Sequence, residues 1–178
     1  SDGDSGGSVV PCATRFCACS DGVTVEDTAT GLLWERKTTT GDQHDVTNRY
    51  TWSSTLPAPD GTAYTVFLAD LNTSPGFAGH TDWRLPFISE LQSILVGPDV
   101  EFAANADPPD PNSGLNATGQ ATTCAAAPCI DPDFAAVGGP TASDYWSALS
   151  GTINTAWGAD FNNGTVTSNF IVFEKEKD

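Results

Sequence analysis

Methionine is missing from the sequence altogether, and basic residues are scarce: 7 Lys and Arg stand against 23 Asp and Glu, for a formal net charge of -16. The absent methionine reads as the mark of a processed product or an excised piece. The shortage of positive charge excludes a nucleic-acid partner and an anionic lipid surface, because a field of that sign repels polyanions and attracts cations. Long apolar runs are lacking too. None approaches the ~20 residues that span a bilayer, and no signal-peptide pattern opens the chain. Only two histidines are present. His44 lies in a polar loop and His80 in "AGHTDW", neither paired by any motif with a serine or cysteine nucleophile, so local hydrogen bonding is their expected role and no enzyme is expected.

What the chain does have is 178 residues, enough for one domain that buries roughly two-thirds of its unfolded surface. Five cysteines stand at positions 12, 17, 19, 124 and 129. Their spacings lack the C-x2-C of zinc ribbons, and no histidine lies near them. An oxidising compartment is therefore the better reading. Cys124 and Cys129 are expected to close a small loop, and one pair is expected among the N-terminal three, with Cys12 and Cys17 as its members; the odd thiol is free or pairs between chains.

Along the chain, residues 1–20 read as a Cys-containing arm or linker whose start, "SDGDSGGSVVP", has no core-forming content, and residues 21–178 read as the domain. "VTVEDTATGLLWERK" offers two short β-prone runs about a turn at Asp27–Gly31. Residues 38–60 read as loop. Tyr64, Phe67, Leu68 and Leu71 recur at helical spacing after Thr62, a candidate cap. A second helix is expected to open at Pro86 in its first turn, to carry Ile88, Leu91 and Leu95, and to stop at Gly97-Pro98. Residues 99–140 read as a long loop insertion. "DYWSAL" and "TAWGADFNNGTVTSNFIVF" read as antiparallel β, with Asn163-Gly164 as a hairpin turn.

Four separated pieces, "DTATGLLWER", "GHTDWRLPFISEL", "YWS" and "AWGADFNNG", line up in order from about Val23 to Phe173. Together they resemble the bacterial extracellular modules found at the C-terminus of the Legionella collagen-like adhesin, whose signatures run TGL-W-R, DWRLP, EL, YWSS and AW-F-G. The resemblance implies an α+β, C-type lectin-like fold, with two helices flanking twisted antiparallel sheets. It implies Trp83 and Leu85 as core residues and Arg84 as a structural partner of an acidic group such as Glu90 or Glu35. This chain departs from the pattern at Phe87, where the family has Thr, so the helix cap is lost or replaced by Ser89, and again in its last residues, Val172 to Asp178.

Two further groups of residues suit binding. Asp107, Asp110, Asp131 and Asp133 supply closely spaced oxygen donors of the kind that Ca2+ takes, although no EF-hand spacing is present, and no other cofactor is implied. Asn154, Trp157, Asp160, Asn162, Asn163 and Asn169 place polar side chains beside an aromatic plane in the C-terminal third, as a sugar-binding surface requires. Trp157 is a signature position and Asn162–Gly164 is first of all a turn. The resulting expectation is a secreted module at the bacterial surface that recognises a glycan or a surface protein through its C-terminal loops. Glycosaminoglycan binding, which the family would suggest, fits poorly with the net charge. The rival expectation is a structural subunit of a surface fibre or layer, self-associating through the N-terminal arm and an edge strand.

Overall fold

The computed structural model describes residues 13–55, 57–96, 124, 126–151 and 155–171. Within them, two three-stranded antiparallel sheets and a few short helices make an α+β architecture. The N-terminal sheet is the meander β1 (Phe16–Ala18), β2 (Thr24–Asp27) and β3 (Leu32–Glu35). The C-terminal one is the meander β4 (Asp144–Ser150), β5 (Thr155–Asp160) and β6 (Thr165–Ile171). No helix of the described residues is long and apolar enough to cross a membrane.

The first hairpin forms where the sequence places it. Asp27 pairs with Leu32 across a tight turn, closed by the Gly31 N–H donating to the Asp27 carbonyl at 2.7 Å. Gly31 has φ +74°, a conformation that only glycine enters without steric cost. The Arg36 N–H donates to the Val23 carbonyl at 2.9 Å, and the Cys19 N–H to the Thr24 carbonyl at 2.9 Å. Because hydrogen-bonded pairs alternate along antiparallel strands, Val23, Val25 and Asp27 serve β3 while Thr24 and Glu26 serve β1. On β3, then, Leu32, Trp34 and Arg36 spend their main-chain groups on β2, and Leu33 and Glu35 point theirs away from the sheet.

The first expected helix is present with a different winding: a π-helical segment, Ala63–Leu68, runs into the α-helical α1, Ala69–Leu71. The wider π turn changes the buried face to Ala63, Phe67 and Leu71, with Tyr64 and Leu68 half-buried. Thr62 does not cap it; its hydroxyl accepts from the Thr51 N–H at 2.8 Å instead. The second helix, α2 (Ile88–Gln92), is shorter than its periodicity predicts. Pro86 lies before the N-cap, Phe87, rather than in the first turn, and Leu95 has left the helix to bridge Ile130. Ser89 is buried inside α2, two residues past the N-cap position held by Phe87. Half a capping box survives, because Glu90 Oε2 accepts from the Phe87 N–H at 2.7 Å, while the phenyl ring has no acceptor to return.

Most of the expected 99–140 insertion lies outside the described residues, but its end is not loop. Residues Pro132–Gly138 form a third helix, α3, capped by Asp131, whose Oδ1 accepts from the Asp133 N–H at 2.9 Å, and ended by Gly139 at φ +69°. Beside it the Cys124–Cys129 disulfide is formed as expected.

One apolar cluster joins Phe16 and Val25 of the first sheet, Ile88, Leu91, Ile94 and Leu95 around α2, Phe134 of α3, Tyr145 and Ala159 of the second sheet, and Phe161 of the β5–β6 turn. A smaller one holds Trp52, Trp146 and Ala156. Trp52 sits in a stretch that reads only as loop, yet it is 2 % exposed. Its indole N–H donates to the Ser147 carbonyl at 2.9 Å, and the Trp146 indole N–H returns a bond to the Tyr50 carbonyl at 2.8 Å, so the loop and β4 are clasped in both directions. Asp27 ties the clusters' periphery: fully buried, it accepts from Arg15 Nε at 2.8 Å, and Arg15 also reaches the Ser93 carbonyl at the end of α2 at 2.8 Å.

Candidate functional site

A cleft of about 480 Å³ opens between β3, the first helix, the 80–86 segment and α2. Its lining includes every residue from Gly31 to Glu35. Successive side chains of a strand alternate between faces, so a run of consecutive residues can border a cavity only where the strand's edge, not a face, meets it. The cleft therefore runs along the open side of β3. At one end the edge is closed, since the Lys37 N–H on this outer side donates to the Gly138 carbonyl at 2.8 Å. Among the described residues, the main-chain groups of Leu33 and Glu35 meet no backbone partner.

The walls are apolar and aromatic. Trp34 packs edge-to-face on Phe134 with ring centroids 5.7 Å apart. Its indole N–H is buried and has no acceptor. That is the costly kind of polar group, since an unmet donor in a protein interior loses about 1–3 kcal/mol. Opposite, Trp83 is half-buried rather than a full core residue. It is fixed by Asn72, which receives the Trp83 N–H at 2.7 Å and donates to the Trp83 carbonyl at 2.8 Å, and by its own indole bond to the Phe77 carbonyl at 2.9 Å. This clamp explains the placement of "DWRLP": the segment is held as a wall of the cleft before the chain turns into α2.

The charges at the rim are mostly satisfied among themselves. Arg84 makes a bidentate pair with Glu90 at 2.7 and 2.6 Å, and this bonding holds the guanidinium pKa above its ordinary value. Of the two expected acidic partners it takes Glu90. Glu35 is taken by His44 Nδ1 at 2.6 Å and by Lys37 at 3.3 Å. Asp82 differs, with its side chain 91 % exposed and His80 4.0 Å away.

The described residues among those that the sequence offers for binding do not line the cleft. Trp157 is half-buried on β5, packed against the larger core cluster beside a register shift between Ala156 and Gly158. Asp160 Oδ1 accepts from the Asn162 N–H at 2.7 Å, and Asn163 Oδ1 accepts from the Thr165 N–H at 3.0 Å, so both side chains hold the β5–β6 turn. That turn spans Phe161 to Gly164, wider than a two-residue hairpin, because Asp160 pairs with Thr165. Asn162 is exposed at its tip. Asn169 lies in β6. Asn154 lies outside the described residues, as do Asp107, Asp110 and Cys12. Asp131 is committed to capping α3 beside Asp133, and no cluster of three His, Cys, Asp or Glu side chains that could hold a metal occurs among the described residues. Cys17 is disulfide-bonded and Cys19 is free. Sequence reasoning missed the cleft because its signal, an open strand edge, is a matter of which strands pair and not of composition.

The family model described as Lcl C-terminal domain matches residues 23–176. No curated protein and no solved structure matches the chain.

Proposed function

Since the chain belongs to the Lcl C-terminal domain family, we propose that it is an extracellular, surface-associated binding module of C-type lectin-like fold, without catalytic chemistry, that recognises a glycan or a surface protein through the β3 cleft. The observation that carries this reading is the cleft itself: an aromatic-walled space with an open strand edge, bordered by charges that are mostly already paired. Sites for ligands are concave, largely apolar and equipped with a few placed polar groups. The two antiparallel sheets with helices packed on them support the lectin-like assignment. The net charge of -16 steers the reading away from polyanions and towards neutral or cationic partners.

Binding of the purified chain to a glycan array and to arrayed bacterial and host surface proteins tests it. Binding should survive the combined Asn154→Ala, Asn162→Ala and Asn169→Ala changes and fall at least tenfold in Leu33→Arg, which brings a charge to the cleft edge. Loss in the triple variant with retention in Leu33→Arg would return the site to the C-terminal loops. Self-assembly into a surface fibre has one observation on its side, the free thiol of Cys19 next to β1. Light scattering with and without reductant decides that, and a strict monomer in both sinks it.

A further inference from the structure

Building on the cleft reading above, we infer that the occupant is an extended peptide segment of a partner protein, neutral or basic, which adds to the open edge of β3 as a fourth strand. The polar groups that the cleft leaves open are main-chain rungs. Leu33 and Glu35 direct their N–H and C=O outward, two residues or about 6.8 Å apart, which is the repeat that another main chain presents and that a sugar ring does not. The next outward group in the same direction is already satisfied: the Lys37 N–H takes the carbonyl of Gly138, the last residue of α3, at 2.8 Å, which fixes where the added segment must end.

The aromatic groups favour a peptide as well. A sugar stacks on a free ring face. The Trp34 ring is engaged by Phe134 at 5.7 Å, and the Trp83 ring by Phe77 at 5.3 Å and His80 at 6.3 Å, so each already has an aromatic partner inside the fold. The apolar walls then receive alternate side chains of the added strand, which is how strand addition obtains specificity while the main-chain bonds supply affinity. Charge sets the sign of the partner. Glu35 is paired with Lys37 and hydrogen-bonded to His44, and Glu90 is paired with Arg84, whereas the Asp82 side chain stands 91 % exposed at the mouth, and the molecule as a whole repels acidic segments.

The test uses an array of random octapeptides against the full chain, with the best binder resynthesised in two forms, N-methylated at odd or at even amide positions. Strand addition uses only every second amide. One form should therefore lose at least tenfold in affinity and the other less than about twofold, two lost hydrogen bonds being enough for such a drop. Leu33→Pro removes one outward N–H without touching the β2 ladder, so it should keep its melting temperature and lose binding at least fivefold. Equal tolerance of both methylated forms overturns the inference, and so does undiminished binding by a folded Leu33→Pro. If Leu33→Pro fails to fold, the methylated pair decides alone. A blank peptide array with hits on the glycan array overturns the peptide occupant and leaves the binding-module reading standing, while blanks on peptide, glycan and protein arrays overturn both.

Discussion

Trp83 shows how a signature residue can be structural without being core. Its ring is only half-buried, but it carries an indole bond to the Phe77 carbonyl and a two-way clamp from Asn72. Trp83→Ala should therefore destabilise by about 2–3 kcal/mol, below the range for a fully buried aromatic, because less area is lost and no closed cavity forms. Urea unfolding of the variant checks this, and a loss under about 1 kcal/mol would show that the wall of the cleft stands without it. Asp60 bears on acid stability. Its carboxylate accepts from the Thr55 hydroxyl and from the Ser54 N–H at 2.6 Å, and these bonds depress its pKa from 3.8 to about 2. A depressed carboxylate binds fewer protons folded than unfolded, so its contribution is present above pH 3.8 and is lost as pH falls towards about 2. Asp60→Asn should flatten the fall in stability across that window, read from urea midpoints at successive pH values; an unchanged slope would count against it.

α3 is the element that composition hid. Seven residues are too few to show a helical period, yet its boundaries are written in the sequence, with Asp131 before Pro132 at the start and Gly139 just past the end. Asp131→Ala should cost about 1 kcal/mol, the usual value of an N-cap, whereas Asp131→Ser should melt close to the parent, since Ser keeps an acceptor there. The hairpins were legible for a local reason: turn glycines and alternation are read from neighbours in the chain. The Arg84–Glu90 pair, six residues apart, was legible only as one of the two acidic partners that the resemblance implies, Glu90 or Glu35. Trp52 was not, because what buries it is Trp146 and Ser147, 94 and 95 positions away, and a polar neighbourhood gives no hint of that contact. The same reason hid the cleft. The π winding after Thr62 escaped as well, since Tyr64, Phe67, Leu68 and Leu71 satisfy an α period on paper, while packing selected Ala63, Phe67 and Leu71.

Across the whole molecule, 23 acidic side chains stand against 7 lysines and arginines, so self-repulsion opposes the folded state at low ionic strength. Salt shortens the reach of that field to about 10 Å at 0.1 M and about 3 Å at 1 M. The melting temperature should rise by several degrees between 10 mM and 500 mM NaCl, and a flat or falling profile would mean that pairs such as Arg84–Glu90 outweigh the net charge. The reciprocal bonds between Trp52 and Ser147 and between Trp146 and Tyr50 act on this same scale, because they lock the loop ahead of the first helix onto the C-terminal sheet. Placed in deuterated water, the chain would carry five indole protons with separate clocks. Those of Trp52 and Trp146 can be replaced by deuterium only when the sheet and the loop part company, so their two nitrogen-15 resonances should fade together, long after that of half-exposed Trp83 has gone.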